Sequence, residues 1–470
     1  MATYPVQPNI VFILSDDQGP WAMGCAGNRE IQTPNLDRLA ASGVRFTNFF
    51  CTSPVCSPAR ASLLTGRMPS QHGVHDWIRE GNVGEGTVDY LAGQLAYTDI
   101  LAANGYTCGL SGKWHLGDSY RPQKGFTHWY AHEQGGGPYY NAPMIRNGKP
   151  ERDPRYLTDL ITDDALAFID AQAADPQPFY LGVHYTAPHS PWVNNHPPEI
   201  VARYEDCPFA SCPQEPKHPW VKPDILAEAW ANPRENLKGY FAAVTAMDAN
   251  IGRLLDRLER LGLRENTLVF FISDNGFSCG QHGIWGKGNG TFPQNMFDNA
   301  VKVPAIISHP RQIAQGVVCD ALLSGYDFMP TLLAYLGYAH PAADQLPGRS
   351  FAPLLHGEAG YPHEHIVVYD EYGPVRMVRT REWKYVHRYP YGPHELYDLV
   401  NDPEERHNLV EDAGYQAQRV AMKARIEEWF LRYTDPRRDG RVEPVTGQGQ
   451  LTLAGPAGQG QLAFAQRVER

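Results

Sequence analysis

Two short apolar runs lie more than 250 positions apart, each ends in an acidic pair, and that repetition limits what the chain can fold into. Asn9–Leu14 is rich in β-branched residues and stops at Asp16-Asp17, while Thr267–Ile272 is almost wholly apolar and stops at Asp274-Asn275. Runs of this kind suit strands buried on both faces of a sheet. Strand patterns at Tyr106–Leu110 and Pro178–Tyr185 alternate with helical ones. Thr33-Pro34 opens a helix that Gly43 closes, and further helices are expected over Ala92–Asn104, Leu157–Ala173 and Glu235–Leu261. The alternation predicts an α/β domain with a large, mostly parallel sheet flanked by helices. Ligands of such sheets collect beyond the carboxyl ends of the strands, so the two acidic pairs are expected to meet.

The texture changes after about Gly348. Ile366–Asp370, Val375–Arg379 and Lys384–Arg388 read as short strands, and Val420–Tyr433 as a closing helix, which suggests a smaller antiparallel sheet with one helix. The expected division is 1–347 for the catalytic domain, 348–434 for this subdomain and 435–470 for a tail. The tail is rich in Gly, Gln and Pro, and reads as disordered or as an arm docked on another subunit, a possible route to an oligomer. A net charge of -11 argues against nucleic acid as a partner. No stretch approaches the roughly 20 apolar residues that span a bilayer. The first residues carry no basic segment and no cleavage site, so the expectation is a soluble, cytoplasmic protein; the alternative is a periplasmic or secreted one whose leader has been removed. Cys207 and Cys212 could pair in an oxidising compartment, but free thiols are the favoured reading.

Cys56 precedes Ser57-Pro58, and Ala59–Leu64 looks helical, so this thiol is expected near a helix N-terminus, where free amides attract anions and lower a thiol pKa. Taken alone, a small buried cysteine is the ordinary alternative. The longer run, Cys56-Ser57-Pro58-Ala59-Arg60 followed by Leu63-Leu64-Thr65-Gly66-Arg67, resembles the signature of the type I sulfatases. Glu395-Leu396-Tyr397-Asp398-Leu399, with Asp402-Pro403-Glu404 and Asn408-Leu409, resembles the closing motif of that family, so the likeness runs from about Asn9 to Leu409.

The resemblance implies an alkaline-phosphatase-like fold and a cysteine oxidised by a formylglycine-generating enzyme, whose hydrate supplies an oxygen nucleophile. It also implies one divalent cation, held by Asp16, Asp17, Asp274, Asn275 and the matured Cys56. Crowded carboxylates favour Ca2+ over Mg2+. Gly112-Lys113-Trp114-His115 matches a family element whose lysine contacts sulfate and whose histidine holds the nucleophile and later removes its proton. Ala187-Pro188-His189-Ser190-Pro191 matches another, which makes His189 the proton donor to the leaving group, since imidazole titrates near neutrality. Lys287 matches the lysine placed on sulfate and leaving group, Arg60 would orient the nucleophile, and Asp274 would act as base. His184, inside a strand, reads instead as a hydrogen-bonded core residue. Val301-Lys302-Val303-Pro304 departs from the family pattern, which leaves substrate contacts around Asn295 and Asn299 open.

The expected reaction is hydrolysis of a sulfate ester, with a carbohydrate sulfate favoured and aryl or alkyl sulfates as alternatives. A phosphonate monoester hydrolase or phosphodiesterase sharing the same nucleophile is the first rival. A non-catalytic binding protein on the same scaffold is the second. Trp129-Tyr130, Tyr139-Tyr140, Trp192, Trp220 and His387 could stack on a sugar or aryl ring, although aromatic residues in such segments are as often local packing.

Overall fold

The computed structural model describes residues 7–466 except 223, 359, 361 and 371–373. The start of the N-terminal reading, residues 1–6, and the last four residues of the tail lie outside the described residues.

A ten-stranded mixed sheet organises the chain. Its strands are β1 (Asn9–Ser15), β2 (Val44–Phe46), β3 (Thr107–Lys113), β4 (Phe126–His132), β5 (Met144–Arg146), β6 (Lys149–Glu151), β7 (Phe179–His184), β8 (Thr267–Ser273), β9 (Ala305–Ser308) and β10 (Val317–Cys319). They lie in the order β10-β2-β9-β8-β1-β7-β3-β4-β5-β6, and the central five, β8 to β4, are parallel. Alternate residues of β1 feed two separate cores. Ile10, Phe12 and Leu14 join Leu268, Phe270 and Ile272 of β8 on one face, whereas Val11 and Ile13 join Val269 and Phe271 on the other. Burial on both faces explains why these runs read as nearly continuous apolar segments.

Helices cover both faces. On one side lie α1 (Pro34–Ala41), α4 (Leu157–Gln172) and α5 (Pro233–Arg260), with Leu36, Ile161 and Ile251 in the core. On the other lie α2 (Cys56–Thr65), α3 (Tyr97–Ala103) and α6 (Phe328–Leu336), which contribute Leu63, Leu101 and Leu332. The helix expected from Ala92 starts only at Tyr97, because Gly93 has φ +73° and the segment before Ala96 turns. Strand β3 outlasts its expected end at Leu110 and reaches Lys113. Gly109 and Gly112 permit this: a Cβ would meet the Phe168 ring at 2.8 Å in the first case and the His184 carbonyl oxygen at 1.9 Å in the second.

The smaller sheet has four antiparallel strands, β11 (Ile366–Asp370), β12 (Val375–Arg379), β13 (Trp383–Arg388) and β14 (Glu395–Asp398), one more than expected. Helix α7 (Gln416–Tyr433) packs Met422, Ile426 and Phe430 against Val367, Val378 and Tyr385. The sheet grips the main domain through Lys384 Nζ, which donates to the Met296 carbonyl (2.9 Å) and to the carboxylates of Asp298 (2.6 Å) and Glu405. No helix among the described residues is long and apolar enough to cross a membrane.

Residues 435–466 lie on their own chain, with Gln450 and Phe464 fully buried. The Gln450 side chain accepts from the backbone N–H groups of His75 (2.9 Å) and Asp76 (3.4 Å) and donates to the carbonyls of Gly73 and Thr452 (both 2.9 Å). One buried amide and one aromatic anchor hold this Gly- and Gln-rich segment. Replacing Gln450 with Ala leaves these backbone groups without partners at a cost on the order of 3 kcal/mol. The expected result is a lower melting temperature by calorimetry.

Candidate active site

Register brings the acidic pairs together. Ser15 pairs with Ser273 across β1 and β8, so Asp16 and Asp274 leave the sheet side by side. Leu14 pairs with His184 of β7, and His184 with Gly112 of β3, which sets Lys113 at the same edge. The five side chains expected to hold a cation, Asp16, Asp17, Cys56, Asp274 and Asn275, are all buried. Asp17 (φ 61°) and His115 (φ 57°) both adopt the left-handed conformation that side chains other than glycine disfavour, strain of a kind concentrated at functional sites.

Cations interleave with these carboxylates. Lys113 Nζ donates to Asp16 Oδ2, Arg60 Nε to Asp274 Oδ2 (2.9 Å), and Lys287 Nζ to Asp17 Oδ1 (2.6 Å). Arg60 also donates to the Lys113 carbonyl at 3.1 Å, which ties α2 to β3. Burial opposes the Asp16 charge, but Lys113, His189, Arg60 and Lys287 outweigh it and hold its pKa well below the usual carboxylate range. Asp274 moves the other way, up to about 6, through burial and the nearby Asp16 charge. Burial likewise opposes the Lys287 charge, yet Asp17, with Cys56, Asp16 and Asp274, raises its pKa.

Helix α2 starts at Cys56 itself, three residues before the expected Ala59, with Val55 as an extended N-cap that makes no side-chain cap hydrogen bond. First-turn amides therefore accompany Cys56. It lines a cavity of about 290 Å³ together with His115, His189 and Lys287. His189 Nδ1 lies 2.7 Å from the Ser190 carbonyl and Nε2 3.7 Å from Asp17 Oδ2. His115 Nε2 donates to the Ile78 carbonyl at 2.8 Å, which leaves Nδ1 as the bare nitrogen. Burial, reinforced by Lys113, pushes the His115 pKa well below its usual value, so the ring is neutral. His184 is the buried core residue expected: Nδ1 meets the Lys113 carbonyl at 3.2 Å, and burial lowers its pKa to about 3.

The donor set suits a hard cation. Oxygens of Asp16 and Asp17 and a ring nitrogen of His189 lie within 4.8 Å of one another. Asp16 Oδ1 and Asn275 Oδ1 are buried acceptors with no hydrogen-bond partner. Acceptors left bare inside a protein are uncommon, and an oxygen-seeking cation would satisfy both. Asp274 is differently engaged, since Oδ1 accepts from the backbone of Asp17 (3.3 Å) and Asn275 (2.8 Å) while Oδ2 takes Arg60.

The Sulfatase family model matches residues 8–338. The chain belongs to the sulfatase family. A second model, for the C-terminal part of N-sulphoglucosamine sulphohydrolase, matches residues 280–431. The N-acetylglucosamine-6-O-sulfatase of Bacteroides thetaiotaomicron is 29% identical, over 95% of this chain and 90% of the relative. Human arylsulfatase A is 32% identical, over 86% of this chain and 83% of its own. A protein solved in complex with its substrate D-glucosamine-2-N,6-O-disulfate superposes with a TM-score of 0.78 at 26% identity, covering 92% of this chain and 99% of the other. This sulfatase is thus a sulfuric ester hydrolase on an alkaline-phosphatase-like fold.

Of the aromatic residues that the sequence left open between substrate stacking and local packing, most are core. Trp129, Tyr130, Tyr139 and Trp192 are buried, the first against Trp114 and Phe126 and the last against Tyr240, Phe277 and Trp285. Trp220 lies under the Arg388 guanidinium, and His387 stacks on His394. Asn295 does not face the cavity either; its amide holds the Lys287 carbonyl at 3.0 Å. The sequence reading left out Trp77, Ile78, Glu80, Asn289 and the glycines at 135–137, which do line it. The signal was the triple glycine, because a Cβ on Gly135 would lie 2.2 Å from His115 Nε2 and one on Gly136 3.1 Å from His189 Cε1. Gly135→Ala should displace the His115 ring and lower kcat/KM about 100-fold, as misplaced catalytic groups do. Sulfate-release kinetics checks this, with circular dichroism expected to be unchanged.

Proposed function

We propose that this sulfatase hydrolyses a carbohydrate sulfate ester, and that its nucleophile is formylglycine matured from Cys56 beside one divalent cation. The observation that carries the reading is the meeting of Cys56, His115, His189 and Lys287 on one cavity, against the buried Asp16–Asp17 pair. Relatives that act on sugars support the carbohydrate: N-acetylglucosamine-6-O-sulfatase and, at 31% identity, an ulvan-active sulfatase from Formosa agariphila.

Asp16, Asp17, Asp274 and Asn275 would hold the cation, with Ca2+ favoured by the crowded carboxylates, and it would supply positive charge for a hydroxyl at position 56 and for a sulfate oxygen. Hydrated formylglycine supplies the attacking oxygen. The remaining work falls to the side chains. Lys113 and Lys287, already fixed by Asp16 and Asp17, offer N–H groups to the sulfuryl oxygens as negative charge develops there. His189 keeps Nδ1–H on the Ser190 carbonyl and turns Nε2 toward the leaving oxygen; a proton carried on Nε2 is stabilised by Asp17 and passes to the departing alcohol. Neutral His115, fixed through Nε2 to Ile78, accepts at Nδ1 the proton released at position 56 when sulfate departs. Arg60 keeps Asp274 ionised and oriented.

Cys56→Ala is expected to lower sulfate-ester turnover at least about 1000-fold while the protein stays folded. Intact-mass analysis of the active protein should find the Cys56 peptide about 18 Da lighter than its cysteine form. Near-normal turnover by Cys56→Ala would sink the scheme. Faster cleavage of phosphodiesters or phosphonate monoesters than of any sulfate ester would replace it with the rival hydrolase. Dialysis against a chelator is expected to abolish turnover, and added Ca2+ to restore it.

A further inference from the structure

Beyond the groups assigned to chemistry, the cavity wall has one aromatic face and one charge. Trp77, Ile78 and Glu80 line it together with Gly135–Gly137, Ser190 and Asn289. Trp77 is half-buried, and its indole N–H makes no hydrogen bond to the described residues. Glu80 is exposed and takes part in no ion pair among the described residues. Every basic side chain on this cavity belongs to the catalytic groups; the remainder of the wall offers no cation.

The wall is held by contacts that lie far away in sequence. Gln450 donates its backbone N–H to the Trp77 carbonyl (2.8 Å) and accepts from Arg79 N–H (3.4 Å), while its side chain takes the amides of His75 and Asp76. Trp77 N–H is held by Asp76 Oδ1 (2.8 Å), and Asp76 Oδ2 accepts from Gly449 N–H (3.1 Å). The Trp77 ring and the Arg79 stem lie over Gly449, where a Cβ would come within 3.3 Å of Trp77 Cζ2 and 2.2 Å of Arg79 Cγ. Ile78 N–H donates to Ser57 Oγ at 3.1 Å, so the wall is fastened to the helix that carries Cys56. The C-terminal segment thus sets the distance between the Trp77 face and the nucleophile.

Building on the carbohydrate reading, we infer that Trp77 is the platform for the apolar face of the sugar, that Glu80 accepts from its hydroxyl or amino groups, and that the enzyme selects a saccharide carrying a single sulfate. A flat indole with a free N–H suits a pyranose ring, which presents C–H groups on its face and hydroxyls at its edge. A second sulfate on that ring would find the exposed Glu80 carboxylate and no cation, a repulsion that weakens as salt is added.

The test compares N-acetylglucosamine 6-sulfate with D-glucosamine-2-N,6-O-disulfate on the matured enzyme and on Trp77→Ala, Trp77→Phe, Glu80→Gln and Gly449→Val, with formylglycine content measured for each. Expected are a preference of about tenfold in kcat/KM for the monosulfate and a narrowing of that preference in Glu80→Gln. Trp77→Ala and Gly449→Val should raise KM for the monosulfate more than about fivefold with kcat nearly unchanged, and Trp77→Phe should restore most of the loss. A wild-type preference for the disulfate, or an unchanged KM in Trp77→Ala, overturns the inference and leaves the carbohydrate reading standing. Failure of the wild type to cleave any saccharide sulfate while cleaving aryl sulfates overturns both.

Discussion

Parallel, in-register pairing of β1 with β8 places Asp16 beside Asp274 and both beside Asp17, inside the protein and out of water. Carboxylates so placed repel one another and lose their hydration, a combination that is unstable unless cations are built in around them. Lys113, Arg60 and Lys287 meet that need, one per carboxylate. Each comes from a different part of the fold: the end of β3, the second turn of α2 and the loop after β8. Their positions are therefore consequences of the electrostatic constraint at the strand ends.

The same constraint links distant segments to the site. The Lys287 loop is held by Asn295, and the segment carrying Asn295 is held in turn by the small sheet, where Arg388 donates to the Gln294 carbonyl (2.7 Å) and Lys384 to that of Met296 (2.9 Å). On the opposite side the C-terminal segment fastens the Trp77 wall, and Ile78 serves both His115 and Ser57. A buried charged site tolerates little displacement, since hydrogen bonds weaken steeply with distance and angle. That explains why so much of the second sheet and tail is committed to fixing backbone near the cavity.

Much of this was legible without coordinates. The paired apolar runs announced buried parallel strands and the convergence of their acidic ends, because strand burial writes itself into the sequence as continuous apolar residues. The Cys56 signature, Lys113, His115, His189 and Lys287 were found as motifs, and the structure brings Cys56, His115, His189 and Lys287 to one cavity, with Lys113 buried beside it on Asp16. What the sequence left open has physical causes. The sequence left Trp129, Tyr139 and Trp192 open between sugar stacking and local packing, because an aromatic side chain reads the same in core and cleft; their burial decides for packing. Short strands such as β2, β5 and β10 carry too few residues for periodicity to mark them, and β14 hides inside a polar motif.

The sequence by itself determined the α/β scaffold, the edge of the sheet at which chemistry would sit, and the identity of the residues gathered there. It could do so because apolar continuity and motif spacing are local properties of the chain. Tertiary structure alone decided what lines the rest of the cavity. Trp77 and Glu80 belong to no motif, and what positions them is a tail more than 350 residues downstream whose composition reads as disorder. Long-range backbone hydrogen bonds to a buried glutamine leave no periodic trace, so that half of the site becomes visible only once the chain is folded.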